Sequence, residues 1–451
     1  MMNGQSTSRL WWRTPLLVGA VTFLVFLPAV RFGFINWDDP YLFLSNPFYR
    51  GFHWANVRWM LTSMDRGVYI PLTWISHAID YQLYAMNPQG HHFTSILFHA
   101  FNAVLFALVL RKMVKNNWAL VVAVLFWSLH PLRVEPVVWV TERREVLAGF
   151  FFLLTLWMYS ENRLRWAVVF YAGCLLSKAT SVTLPVVLIV LEWPSVRWRE
   201  KIPFFLVAAP VGLLTLYGQK SQGYSVSWMV CGWADRAVLS LTNFFFYFQK
   251  TVCPLGLSPY YEVLRPIQMA RWPYNVHLAG SLLLSAFCWT QRAARPWLWK
   301  GWVSFIILLA PLSGLFQNGG QMAADRFSYL PGLVLSAGVG LLLNDGVFSR
   351  PRKIGCAAAL LLLVSITCTQ IRVWSNYENF VRRILAVDPG SSMGNNNWGV
   401  LLASRGRVAE ALPYFERAVR RDPGNDSARI NRDRALKATT LRLKKDRHAA
   451  S

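Results

Sequence analysis

Apolar runs of about 14 to 20 residues alternate with short basic clusters along the first 373 residues of the chain. Runs of that length and few charges predict membrane-spanning helices, because about 20 residues rising 1.5 Å each cross the hydrocarbon core. The first run, 15–32, is long and is followed by many others, so it reads as an uncleaved first helix and not as a signal peptide. Further runs at 92–110, 118–129, 146–159, before Ser177-Lys178, before Arg197, and at 202–217, 275–289, 302–316, after Tyr329 and at 355–371 bring the expected total to about eleven spans. Arg9 and Arg13 put the N-terminus in the cytoplasm, and the Lys and Arg of later short loops then set the direction of each span. By this rule the basic loop 292–300 belongs inside. The run 237–255 therefore does not cross, and is expected to be interfacial or re-entrant.

The pattern changes after residue 373. Asp388-Pro389-Gly390 recurs as Asp422-Pro423-Gly424, a period of 34. Between them Gly399, Ala411, Phe415 and Ala418 stand at the offsets of a tetratricopeptide helix pair, with Pro423 closing the second helix. Residues 377–388 read as the second helix of a preceding repeat, and the tail with Lys437, Lys444 and Lys445 as a basic capping helix. The fold class is thus all-α: a polytopic membrane domain over 1–373, and an external repeat domain with a basic tail over 374–451. Residues 36–91 form the first external loop. Its density of Trp, Tyr and Phe predicts helices lying in the interface plane.

Composition agrees with this reading. The chain is 54% hydrophobic and only 15% charged, with 22 Trp and 29 Phe. The net charge of +24 would suggest nucleic acid on a soluble protein. Here the cations sit in loops and in the tail, so positive-inside topology and attraction to anionic lipid account for them, and no nucleic-acid partner is expected. Most of the six cysteines lie in apolar runs, and no Cys/His spacing suits a metal. Cys231 and Cys253 flank one loop and would pair only if it met an oxidising compartment.

Two adjacent carboxylates, Asp38-Asp39, stand where the first span emerges. A carboxylate at that depth is costly and usually functional, although an interfacial N-cap is the plainer alternative. The topology also brings His92, the 130–145 segment, Lys178 and Arg326 to the same side. A carboxylate near an acceptor hydroxyl suits general-base work, and the guanidinium groups of Arg143, Arg144 and Arg326, with Lys178, suit a departing phosphate. Each has a bland reading as well: snorkelling for Arg143-Arg144, helix-end hydrogen bonding for His92 and His130, and pairing with Arg133 for Glu135.

Several segments together resemble a known family. They are FINWDDPYLFLSNP after the first span, YIPLT from Tyr69, His92 and His99 seven apart, HPLRVEPVVWVTERREVL from His130, LLSKAT around Lys178, PLGLSPYY from Pro254 and ADRFSYLP from Ala324. With the repeat, they resemble the GT-C superfamily of membrane glycosyltransferases, most nearly bacterial relatives of the transmembrane and tetratricopeptide-repeat-containing O-mannosyltransferases. The resemblance implies a polyprenyl-phosphate sugar donor and an inverting transfer to an acceptor hydroxyl, on the external face of a bacterial cytoplasmic membrane. It implies Asp38 or Asp39 as base, Arg143, Arg144, Lys178 and Arg326 at the donor phosphate, and His92, His130, Glu135, Tyr69, Tyr261 and Tyr329 around the substrates. Arg133 and Phe327 depart from the family pattern, where a histidine and a tyrosine are common.

The expected activity is transfer of mannose or a similar hexose to protein Ser/Thr, with membrane lipid as surroundings and a protein acceptor or envelope partner reached through the repeat. No cofactor or metal is expected, because fixed cations neutralise a monophosphate. Two other classes make different demands. A flippase of lipid-linked glycans calls for ionisable residues at mid-membrane and internal repeats, whereas the charges here cluster at helix ends. A non-catalytic scaffold would depend on 376–451 and tolerate loss of either aspartate.

Overall fold

The computed structural model describes residues 12–223, 231–263, 267, 269–316, 320–345 and 349–450, the side chains of 442–450 excepted. Arg9, and the side chains of Lys444 and Lys445, lie outside the described residues. The chain is almost wholly helical; the strands Tyr261–Glu262 and Gln321–Ala323 form one short antiparallel ribbon. Every expected span falls on a helix. By length and composition, Arg13–Arg31, Pro88–Leu110, Trp198–Ser221 and Arg350–Val373 are each able to cross a bilayer, and Asn117–Ser128 with Pro131–Val138 makes a fifth candidate bent by 51°. The run expected to be interfacial or re-entrant is one unbroken helix, Trp233–Val252, so it contains no re-entrant break. That helix also separates Cys231 from Cys253. Twenty residues at 1.5 Å hold its ends about 30 Å apart, and neither cysteine is in a disulfide, Cys231 being buried and Cys253 exposed. The possible disulfide is thereby excluded.

Two local features position the site. The first helix lies close against Pro88–Leu110, since a Cβ on Gly19 would come within 2.6 Å of Val104 Cγ2. This pairing carries the chain from Phe32 into the 33–39 turn over the start of the second helix, where His92 Nε2 faces the Gly33 carbonyl at 3.4 Å. The second feature is the bend at Pro131. Proline lacks an N–H and pushes the preceding residue out of helical conformation, so the Asn117–Ser128 helix ends there. His130 Nδ1 accepts from Leu132 N at 3.2 Å, which leaves Nε2 to donate to the Thr251 carbonyl at 3.0 Å. The chain then makes the short helices Val134–Val138 and Val140–Glu142 before Arg143–Ser160 begins. This segment is buried almost continuously, with Arg133, Glu135, Glu142, Arg143 and Glu145 inside. Buried charges require partners, and supplying them organises the site.

The C-terminal helices Tyr377–Val387, Ser392–Ser404, Val408–Arg421 and Asp426–Ala450 form a layer of their own. A Cβ on Gly399 would lie 2.6 Å from Phe415 Cε1, so this glycine admits the ring and lets its helix approach Val408–Arg421. The layer rests on the site region. Glu262 Oε2 accepts from Ser391 Oγ at 2.8 Å and from Ser392 N at 2.9 Å, and the rings of Trp37 and Phe380 lie 5.1 Å apart.

Candidate functional site

A cavity of about 310 Å³ opens beside the 36–44 turn, and its lining includes Asp38, Arg66, Thr73, His77, Arg144 and Arg326. The two aspartates are not equivalent there. Asp38 is half-exposed and faces the cavity, with Arg66 Nη1 at 3.6 Å. Asp39 is buried and its carboxylate is fully engaged. Oδ1 accepts from Trp139 Nε1 at 2.9 Å and Thr141 Oγ1 at 2.6 Å, and Oδ2 from Ile35 N at 2.8 Å. Successive residues at the start of the Pro40–Leu44 turn point in different directions, one to the cavity and one to the core. Burial raises the Asp38 carboxyl above the ordinary carboxylate range, against Arg144, Arg66 and Arg326, which stabilise its ionised form. Burial pushes Asp39 up to about 6 despite its three donors.

The same division applies to Arg143 and Arg144. Arg144 lines the cavity and grips Glu142, with Nε 3.1 Å from Oε2 and Nη2 on Oε1. Arg143 is turned away into the core. It donates to Ser95 Oγ at 2.7 Å, Ser76 Oγ at 3.1 Å, Asp80 Oδ2 at 2.7 Å and the His91 carbonyl at 2.5 Å. Arg326 reaches the cavity from the far end of the chain, held by an ion pair with Glu135, whose Oε2 also accepts the Arg326 N–H at 3.0 Å. Arg326 Nε lies 3.3 Å from Glu142 Oε1. Lys178 pairs with Glu145 and stands 3.9 Å from Glu142, behind the cavity wall. Glu142 is thus the hub. Burial would raise its carboxyl, but Arg144, then Arg326 and Lys178, hold it down at about 2.

The remaining expected contacts lie away from the cavity lining. The Tyr69 hydroxyl donates to the Leu61 carbonyl at 3.0 Å. Tyr261 accepts from Ser258 N at 3.0 Å and donates to Asp325 Oδ1 at 2.8 Å. The Tyr329 hydroxyl lies 2.8 Å from both His99 Nδ1 and Asn102 Nδ2 in the helix core. His92 and His130 brace backbone, as described above. Sequence reading passed over Arg66, Thr141 and Trp139. Thr141 and Trp139 lie inside the HPLRVEPVVWVTERREVL motif, where a polar residue in a buried apolar stretch was the available signal. Arg66 takes a left-handed backbone conformation at φ 51°, strained for a residue with a side chain, and its guanidinium also lies over the Tyr41 ring at 4.9 Å.

Around the cavity, then, three guanidinium groups meet one accessible carboxylate. That set suits an anionic ligand whose reacting neighbour must lose a proton.

No family model matches the chain. The protein O-mannosyl-transferase Tmtc3 of Drosophila melanogaster is 22% identical over 459 residues, covering 80% of this chain and 49% of that protein. The human protein O-mannosyl-transferase TMTC3 is 24% identical over 437 residues, covering 82% and 46%. The mouse protein O-mannosyl-transferase TMTC4 is 24% identical over 494 residues, covering 89% and 65%. The chain spans about half the length of the first two. Among solved structures, ArnT from Cupriavidus metallidurans bound to undecaprenyl phosphate aligns with 95% of this chain and 77% of its own, at 15% identity and a TM-score of 0.39. The sequence similarity covers most of the chain and falls on the group its motifs resemble.

Proposed function

We propose that this relative of the protein O-mannosyltransferases is an inverting GT-C glycosyltransferase, which moves mannose or a similar hexose from a polyprenyl-phosphate donor to an acceptor hydroxyl, on protein Ser/Thr. The observation that carries the reading is the meeting of Asp38, Arg144 and Arg326 at one cavity, although they come from three distant parts of the sequence. Asp38 is the base. It takes the acceptor proton as the hydroxyl oxygen forms its bond to the anomeric carbon, and the bond from that carbon to the phosphate oxygen breaks. The polyprenyl phosphate leaves with the electron pair, and Arg144 and Arg326 neutralise it. Glu142 and Glu135 grip these guanidinium groups from behind and keep them aimed, so little reorganisation is needed as charge develops. Asp39 takes no proton from substrate. It fixes the turn that presents Asp38, through Trp139, Thr141 and Ile35. On this reading the cations meet the phosphate without a metal.

The site would face the exterior of a bacterial cytoplasmic membrane. The C-terminal layer would be a short tetratricopeptide-repeat unit that presents an acceptor or an envelope partner beside Asp38. The contact of Trp37, next to Asp38, with Phe380 supports that placement.

The test uses the full chain in vesicles, with a labelled polyprenyl-phosphate hexose and a Ser/Thr-containing peptide. Labelled peptide carrying an inverted linkage is the expected product. Donor that crosses the bilayer with its sugar intact, and no labelled peptide, would make the chain a transporter instead.

A further inference from the structure

We propose that His77, Asp80 and His91 hold one divalent transition-metal ion, of the zinc or cobalt class, where the Pro71–Tyr84 helix meets the start of Pro88–Leu110. Their ligand atoms lie within 4.8 Å of one another, and all three residues are buried. Among the described residues no other three His, Cys, Asp or Glu side chains converge in this way.

Orphaned nitrogens point to a cation. His77 is 1% exposed, yet neither of its ring nitrogens has a hydrogen-bond partner. His91 Nε2 stands 3.1 Å from the Ala85 carbonyl. A carbonyl only accepts, so Nε2 carries the proton and the neutral ring turns the Nδ1 lone pair inward. That lone pair faces Asp80 Oδ2 at 3.4 Å, without hydrogen-bond geometry. Lone pair against lone pair in a buried site is unfavourable, and a shared cation resolves it.

Two imidazoles and one carboxylate are a familiar donor set for zinc, with a fourth position left to water. The outer shell is already built. Asp80 Oδ1 accepts from Thr94 Oγ1 at 2.8 Å and Oδ2 from Arg143 Nη2 at 2.7 Å, which leaves further lone pairs on each oxygen. The Arg143 guanidinium paired with Asp80 is the charge partner that an ionised carboxylate ligand needs in a buried site. His77 also lines the cavity that holds Asp38. The ion would therefore tie two helices together at the cavity wall.

The full chain, purified in detergent on a histidine-free tag and treated with chelator, is titrated with Co²⁺ alone. The inference expects one equivalent bound, the visible absorption of a low-symmetry nitrogen/oxygen site, and displacement by Zn²⁺. His77→Gln and His91→Gln should weaken binding roughly 100-fold or more, while Asp38→Asn binds as wild type. Unchanged elution and thermal unfolding of the metal-free variants show that they fold. A folded wild-type chain that takes up no Co²⁺ would overturn the inference. Binding that survives both substitutions would overturn it equally. Neither result depends on glycosyl transfer.

Discussion

Replacing Asp39 by Asn gives a stability change whose pH dependence follows from the geometry. The carboxylate is buried among three donors, and burial raises its pKa from 3.8 to about 6. A carboxyl with a raised folded pKa binds protons more tightly in the folded state, so it favours folding fully below pH 3.8 and loses that contribution as pH rises through 6. A shift of about 2 units corresponds to about 3 kcal/mol lost by neutral pH. At pH 4.5 about 1 kcal/mol of that loss has occurred, so about 2 kcal/mol remains between pH 4.5 and 7.5. Asn titrates nowhere in this range. Its oxygen is able to take the place of Oδ1 under Trp139 and Thr141, which leaves the amide facing the Ile35 N–H at a pH-independent cost of about 1–3 kcal/mol. The Asp39→Asn chain should therefore gain on wild type by about 2 kcal/mol as pH rises from 4.5 to 7.5. Thermal unfolding of both proteins in one detergent, followed by tryptophan fluorescence across that range, reads the difference. A difference that stays flat with pH, or moves the other way, refutes the reasoning.

Other outcomes follow from the same contacts. Arg144→Ala and Arg326→Ala each remove a charge-assisted contact worth about 1.5–3 kcal/mol, so kcat/KM for a polyprenyl-phosphate donor should fall roughly 10- to 100-fold. Arg143→Ala should cost stability, about 3–5 kcal/mol, because it strands the buried Asp80 carboxylate, and Arg326→Ala should do the same to Glu135, so its kcat/KM is compared on folded protein; folded yield and thermal midpoint show both losses directly. The acid limb of the rate profile should lie above the ordinary carboxylate range, since Asp38 must be ionised to act and burial raises it; a limb at or below that range speaks against Asp38 as base. Gly399→Val drives a side chain into Phe415 and should cost about 1–3 kcal/mol, detected as faster proteolysis within 377–450.

Most of the helices were legible because a span is a local property: a run of apolar residues, a basic flank, a proline. The candidate site was legible only in outline. Charge and hydropathy brought Asp38, Lys178, Arg326 and the 130–145 segment to one face, and the structure assembles them around Glu142 and the cavity. What stayed hidden is the direction of neighbouring side chains. Asp38 and Asp39 look alike in sequence, as do Arg143 and Arg144, yet one of each pair meets the cavity and the other the core. The partners that decide this, Trp139 and Thr141 for Asp39 and Ser95, Ser76 and Asp80 for Arg143, lie 48 to 102 residues away. The His77, Asp80 and His91 cluster is close in sequence, with His77 and Asp80 at i, i+3 on one helix, but His91 opens the next helix, and the sequence does not show how the turn between the two brings them together. The possible pairing of Cys231 with Cys253 failed because the intervening residues form one rigid helix and not a loop.

The central claim is that Asp38, and not Asp39, activates the acceptor. Sugar transfer from a polyprenyl-phosphate hexose to a Ser/Thr peptide, measured for Asp38→Asn beside wild type at matched folding, tests it most directly. Loss of a general base should slow transfer by about 10²- to 10⁴-fold, with donor binding and thermal stability close to wild type. Transfer by the Asp38→Asn chain within a few fold of wild type would contradict the account.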